Sequence, residues 1–150
     1  MRIALGADHA GYELKNQVRD YLTARGVTVT DEGTNDGASV DYPDFARKVA
    51  EDVVAGKVDS GILVCGTGIG MAMAANKVHG IRAAAAETEF EAQMAREHNN
   101  ANILTMGARV IDAPMAEKIV DIWLKTQFAG GRHQRRVDKV MEIEREESKI

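Results

Sequence analysis

The sequence predicts an α/β fold, a single doubly wound domain of five parallel strands covered on both faces by helices, with a helical tail at the C-terminus. Three observations carry this. Short continuous apolar runs alternate five times with segments of helical periodicity, as expected of strands buried on both faces. The 150 residues suit one domain, and 45% of them are apolar and spread along the whole length. There is no internal repeat, low-complexity segment or linker to justify a second domain, so residues 1–150 read as one unit.

The elements follow in order. Ile3 to Ala7 reads as the first strand; the helix after it places Leu14, Val18, Tyr21 and Leu22 on one face and stops at Gly26. Val27 to Thr30, β-branched at three of four positions, is the second strand. Pro43 opens the second helix, with Asp41 or Asp44 as its cap and Phe45, Val49, Val53 and Val54 as its buried stripe up to Gly56. Gly61 to Val64 is the third strand, followed by Cys65, a glycine loop and a helix over Met71–Lys77 that stops by Gly80. Ile81 to Ala86 is the fourth strand. Thr88 and Glu91 make a capping box for a helix carrying Phe90, Met94 and Glu97 toward His98-Asn99-Asn100. Ile103 to Met106 is the fifth strand. Asp112 then caps a helix with Pro114 in its first turn and Ile119, Val120, Trp123 and Leu124 as its stripe, ending at Gly130-Gly131. The charged tail, Arg132 to Ile150, has a narrow seam of Val137, Val140, Met141 and Glu144, which a partner subunit or the chain's own surface would cover.

Composition excludes several functions. With 19 Lys+Arg against 23 Asp+Glu, the net charge is −4, and aromatic residues make up only 5%, so no basic, aromatic face for nucleic acid is expected. The apolar runs fall far short of the roughly 20 residues of a membrane span. The N-terminal apolar run leads directly into Asp8-His9, unlike a secretory leader, so a cytoplasmic protein is expected. The single cysteine fits a reducing compartment. No His-Glu-x-x-His, Cys pair or dense carboxylate cluster is present, so no metal is expected.

In a parallel sheet, ligands bind beyond the carboxyl ends of the strands. The segments there are Asp8-His9-Ala10-Gly11, Cys65-Gly66-Thr67-Gly68-Ile69-Gly70 and Gly107-Ala108-Arg109. Three alternate glycines before a helix let several backbone N–H groups converge on an oxyanion or phosphate, though a tight turn also needs glycine. Gly66-x-Gly68 with Glu87 further on imitates a dinucleotide fingerprint, but Met71 stands where the third glycine belongs. Cys65, at a strand end and facing a helix N-terminus, occupies a setting that favours a thiolate; a lone strand-end cysteine is otherwise a small buried hydrophobe. A base beside an array of N–H donors suits proton abstraction next to a carbonyl. His9 and His98, at strand and helix ends, are expected on the ligand side, His98 as a general acid or a helix cap. His79 is expected in a solvated turn. The knot Gly130-Gly131-Arg132-His133-Gln134-Arg135-Arg136 suits a small phosphate, with Arg132 and Arg136 on one helical face.

Taken in order, Asp8-His9-Ala10-Gly11, Asp41-Tyr42-Pro43, Cys65-Gly66-Thr67-Gly68-Ile69-Gly70, Ala74-Ala75-Asn76-Lys77, His98-Asn99 and Gly130-Gly131-Arg132-His133 resemble the ribose-5-phosphate isomerase B family over nearly the whole chain. That family includes galactose-6-phosphate and allose-6-phosphate isomerases. The resemblance implies a Rossmann-like three-layer α/β/α sandwich that isomerises an aldose phosphate to a ketose phosphate without a metal or other cofactor. It also implies a homodimer or a tetramer, with each site shared between subunits and the tail helix reaching the partner. Ribose 5-phosphate is the substrate it favours, with the hexose 6-phosphates as alternatives. Carried over, Cys65 is the base between C1 and C2, Gly66 to Gly70 (with Thr67, Gly68 and Ile69) the enediolate cradle, and His98 with Thr67 the group opening the furanose ring. Asp8, His9 and Tyr42 meet the sugar or its phosphate, Asn99 a sugar oxygen, and Arg109, Arg132 and Arg136 the phosphate. A second subtype replaces the thiol with serine and uses a glutamate after the loop; Met71 stands there, so this chain resembles the cysteine subtype.

Overall fold

A computed structural model of the chain describes residues 1–149; Ile150, the last residue of the expected tail, lies outside the described residues. The strands are β1 (Arg2–Ala7), β2 (Thr28–Asp31), β3 (Ser60–Cys65), β4 (Ala83–Ala85) and β5 (Ile103–Gly107). They pair in the order β2-β1-β3-β5-β4, every pair parallel, with Leu5 opposite Ile62 and Ile62 opposite Leu104. The helices are α1 (Tyr12–Ala24), α2 (Tyr42–Val54), α3 (Ile69–Ala75), α4 (Glu89–Glu97), α5 (Ala113–Lys125) and α6 (Arg132–Glu147).

The two-residue period of each strand sorts its side chains between two cores. Ile3, Leu5, Ile62, Val64, Leu104 and Met106 face α1, α4 and α5. Ala4, Leu63, Cys65 and Ile103 face α2 and α3. The chain leaves β1 toward β2 on one side and returns to β3 on the other. The carboxyl ends of β1 and β3 therefore flank a switch point, the crevice where open α/β sheets bind ligands.

Several boundaries differ from those read in the sequence. The helix after the glycine loop starts at Ile69, two residues early. The fourth strand is shorter than its apolar run: Arg82 N–H donates to the Asn102 side chain, while the Asn76 amide pairs with both backbone groups of Ala83, so only Ala83–Ala85 join the ladder. Phe90 is 68% exposed, because α4 packs through Ala92 and Ala95, whose small side chains let it sit close to the sheet. Val54, at the end of α2, is exposed as well. Asp41 holds the N-cap position of α2, but its side chain makes no capping bond. Both side-chain caps of the last two sheet-covering helices form, Thr88 Oγ1 accepting from Glu91 N–H and Asp112 Oδ1 from Met115 N–H, but the Glu91 carboxylate accepts from Glu87 N–H rather than from Thr88 N–H, so the capping box is only half made. The tail folds back on its own chain. Val137 is buried and Glu144 accepts from Gly80 N–H at 3.1 Å, while Val140 and Ile143 stay exposed. No described helix is long and apolar enough to cross a membrane.

Candidate active site

Two groups of expected site residues form, at opposite edges of the sheet. The first sits at the carboxyl edge, in the switch-point crevice. Cys65 ends β3, is 5% exposed, and its sulfur accepts the Gly68 N–H at 3.1 Å. The loop that follows is wedged onto β5. Thr105 Oγ1 donates to Gly68 O at 2.8 Å, Arg109 N–H donates to Gly66 O, and a Cβ on Gly107 would lie 2.6 Å from the Thr67 backbone. Gly68 takes φ +81°, a left-handed turn that a side chain would strain. The N–H groups of Gly66 and Thr67 have no acceptor among the described residues, whereas Ile69 N–H donates to Thr67 Oγ1. The Arg109 side chain lies against Gly66 and the Tyr42 ring against Gly70, so both border the loop.

Across the crevice, Asp8 is nearly buried, and its Oδ1 accepts from Ala10 and Gly11 N–H, both at 3.0 Å. Its first job is to shape the turn into α1. His9 Nδ1 accepts from Val40 N–H at 3.2 Å, which puts the proton of the neutral ring on Nε2 and leaves that N–H as a donor. The loop supplying Val40 is anchored from below by Lys15, fully buried, whose ammonium reaches Asp31 at 2.7 Å and Asn35 at 2.8 Å. The Asp31 carboxyl lies below its ordinary range: burial pushes it up, but Lys15, Gly33 N–H and Arg19 together outweigh that.

The second group lies at the amino edge. The expectation that His98 shares a side with His9 within one chain fails, because a helix between parallel strands runs antiparallel to them and its end returns to the amino edge. His98 is the C-cap of α4, and Asn99 follows it. Arg82, just before β4, donates to the carbonyls of Asn99 and Asn100. Arg132 and Arg136 start α6 beside this turn, both exposed, and Arg136 and Asn99 line one groove with Arg82 and Val140. Six strand residues separate the edges, roughly 17 Å at a rise of about 3.3 Å per residue, so His98, Asn99, Arg132 and Arg136 cannot meet Cys65 of the same chain.

In the sequence His133 is only a member of the basic knot. Its ring stacks on that of His98, centroids 4.1 Å apart and planes within 12°. Burial lowers its proton affinity, and the positive charge of His98, Arg132 and Arg136 lowers it further against the opposing pull of Glu97. Only the fold could show this contact, between residues 35 apart in sequence. His79 is exposed, and its Nε2 lies 2.9 Å from Ser148 Oγ of the tail. Among the described residues no three His, Cys, Asp or Glu side chains are grouped to hold a metal ion.

The chain as a whole is similar to known proteins. The family model described as Ribose/Galactose Isomerase matches residues 3–140. A solved ribose-5-phosphate isomerase B of Clostridium thermocellum is 54% identical, covers 97% of this chain and 99% of its own, and superposes with a TM-score of 0.96. That of Mycoplasma genitalium, solved with bound ribulose 5-phosphate, is 46% identical, covers 97% of each chain and has a TM-score of 0.92. A D-erythrulose-4-phosphate isomerase of Pectobacterium atrosepticum is 45% identical over 98% of this chain and 97% of its own.

Proposed function

Because the chain belongs to the ribose/galactose isomerase family and is a sugar-phosphate isomerase, we propose that it interconverts ribose 5-phosphate and ribulose 5-phosphate through an enediolate. The observation that carries the reading is Cys65, at the switch point with a glycine loop wrapped against its sulfur. The Cys65 thiolate takes the proton from C2 of the open-chain aldose and, as a thiol, returns it to C1. The electron pair left on C2 forms the C1–C2 double bond, the charge arriving on O1 is met by the unpaired N–H groups of Gly66 and Thr67, and the O2 proton passes to O1 as C1 is reprotonated and the C2 carbonyl forms. Gly68 to Gly70 complete the cradle, and Arg109 and Tyr42 border it.

The remaining groups come from a second copy. Each half-site is flanked by uncovered apolar side chains: Ile69 and Met73 on α3 beside the glycine loop, Val140 and Ile143 on α6 beside the arginines, all at least 54% exposed. A two-fold contact that covers both sets brings His98 and Asn99 of the partner subunit to the sugar, and Arg132 and Arg136 of the partner subunit to its phosphate. His98 of the partner subunit, with Thr67, gives the proton that opens the furanose. Asp8 and His9 hold sugar hydroxyls or phosphate, His9 through Nε2–H. Binding energy from the remote phosphate holds C1 and C2 against the sulfur. The ketose bound in the Mycoplasma genitalium protein supports the pentose. The erythrulose-phosphate relative favours a tetrose 4-phosphate as the competing reading.

The test is the initial rate of ketose formation, with EDTA present, from ribose 5-phosphate, erythrose 4-phosphate, allose 6-phosphate and galactose 6-phosphate. The highest kcat/KM is expected on the pentose. A higher value on a four- or six-carbon substrate would keep the chemistry and overturn the substrate.

A further inference from the structure

We propose that His133 is a positioning residue for His98: the face-to-face stack of the two imidazoles sets the plane of the ring that each chain offers to its partner's site. The inference rests on the isomerase reading above. No protein group among the described residues hydrogen-bonds either ring, so the nitrogens of His98 stay free for substrate and its plane is set by packing. A residue that caps a short helix and is half-buried has several rotamers open to it. The parallel plate 4.1 Å away removes the freedom to tilt.

The backbone is built to bring the plate there. Ala129 N–H donates to Glu97 O at 3.0 Å, tying the segment before α6 to the last turn of α4. Gly130 and Gly131 then turn the chain at φ +66° and +55°, and His133 N–H closes that turn on Gly130 O at 3.0 Å. His133 is thereby delivered over His98 while Arg132 and Arg136 remain exposed.

The charged groups facing the pair are Glu97 from α4 and Arg132 and Arg136 from α6. Burial first, and then the second imidazole and the two guanidinium groups, lower the proton affinity of His133. A plate of lowered proton affinity competes less for the proton that His98 gives to the ring oxygen.

The test compares His133→Ala with His133→Phe, which keeps a flat ring and removes both nitrogens. In the dimer, His133→Ala is expected to lower kcat on ribose 5-phosphate about tenfold with KM changed less than about twofold, and His133→Phe to restore kcat to within about twofold of wild type. The ring-current shift of the His98 Cε1–H resonance should persist in the Phe variant and vanish in the Ala variant, while inorganic phosphate binds both as it binds wild type. An Ala variant with wild-type kcat would overturn the proposal, as would a folded, dimeric Phe variant no more active than Ala, since the nitrogens of His133 would then be what matters. If the wild type turned over no pentose phosphate, the ribose 5-phosphate reading would fail, and the His98 resonance would still report whether the stack holds.

Discussion

The two edges of this sheet hold their candidate site residues by different physics. At the carboxyl edge position comes from enclosure: Cys65 and Asp8 are nearly buried, Gly107 leaves room only for the Thr67 backbone, and a fully buried lysine anchors the loop over His9. At the amino edge position comes from helix ends: Arg132 and Arg136 are exposed, and two imidazoles stack on each other with no hydrogen bond to either ring among the described residues. The first is a finished part of one chain's core. The second is an exposed cationic surface, to which the proposed reading assigns a phosphate and a second chain. Changes at the carboxyl edge should therefore be read in chemistry and stability, and changes at the exposed arginines of the amino edge in substrate affinity.

The sharpest break of that contrast is Cys65→Ala. Loss of the proposed base should cost about 10²- to 10⁴-fold in kcat in initial-rate assays and leave binding of phosphate esters by calorimetry largely intact. Arg132→Ala removes a charge-assisted contact to the proposed phosphate and should raise KM about ten- to hundredfold, with a smaller change in kcat and no change in melting temperature. Gly107→Ala is its counterpart at the other edge. A methyl group driven toward the Thr67 backbone should cost roughly 1–3 kcal/mol in denaturant unfolding and lower kcat, with phosphate affinity preserved.

Two further changes sharpen the account of the enclosed edge. Lys15→Met leaves Asp31 without its main cation and should destabilise the chain by about 2 kcal/mol near neutral pH, less than for a deeply buried pair because Asp31 is partly exposed. The folded Asp31 carboxyl lies below its ordinary 3.8, so this contribution is present above that value and fades as pH falls through the folded pKa. Wild type and variant should converge in acid melts. The smallest effect concerns Glu32, which burial first and then Asp52 push above its ordinary 4.5. A raised carboxyl stabilises the fold while protonated and loses that as pH rises through its folded pKa. Glu32→Gln should raise the melting temperature slightly at neutral pH and not below the ordinary value.

The fold was legible because parallel strands buried on both faces write themselves as short apolar runs, and Gly26, Pro43, Thr88 and Asp112 punctuate the helices between them. The order of the strands was not legible, since a run of Ile81 to Ala86 reads the same at an edge as at the centre. Phe90 misled because periodicity cannot tell a core position from an exposed one when alanines suffice to pack the helix. At the site, the spacing from Cys65 to Gly70 pointed to a cradle, since only such a loop turns so tightly at a strand end. His98 lies away from the ligand side of its own chain because α4 runs antiparallel to the strands and ends at the amino edge. The His98–His133 stack and the anchoring of Val40 over His9 are contacts between distant segments, with no local signature to find.

One site is proposed to draw on two chains. Cys65→Ala and His98→Asn, each impaired alone, should complement when coexpressed. A hybrid dimer has one site with both residues intact and one with neither, so about a quarter of wild-type activity should return after statistical assembly of two-fold dimers. If the mixture is no more active than the separate variants, Cys65 and His98 do not meet across a subunit contact, and the account is wrong.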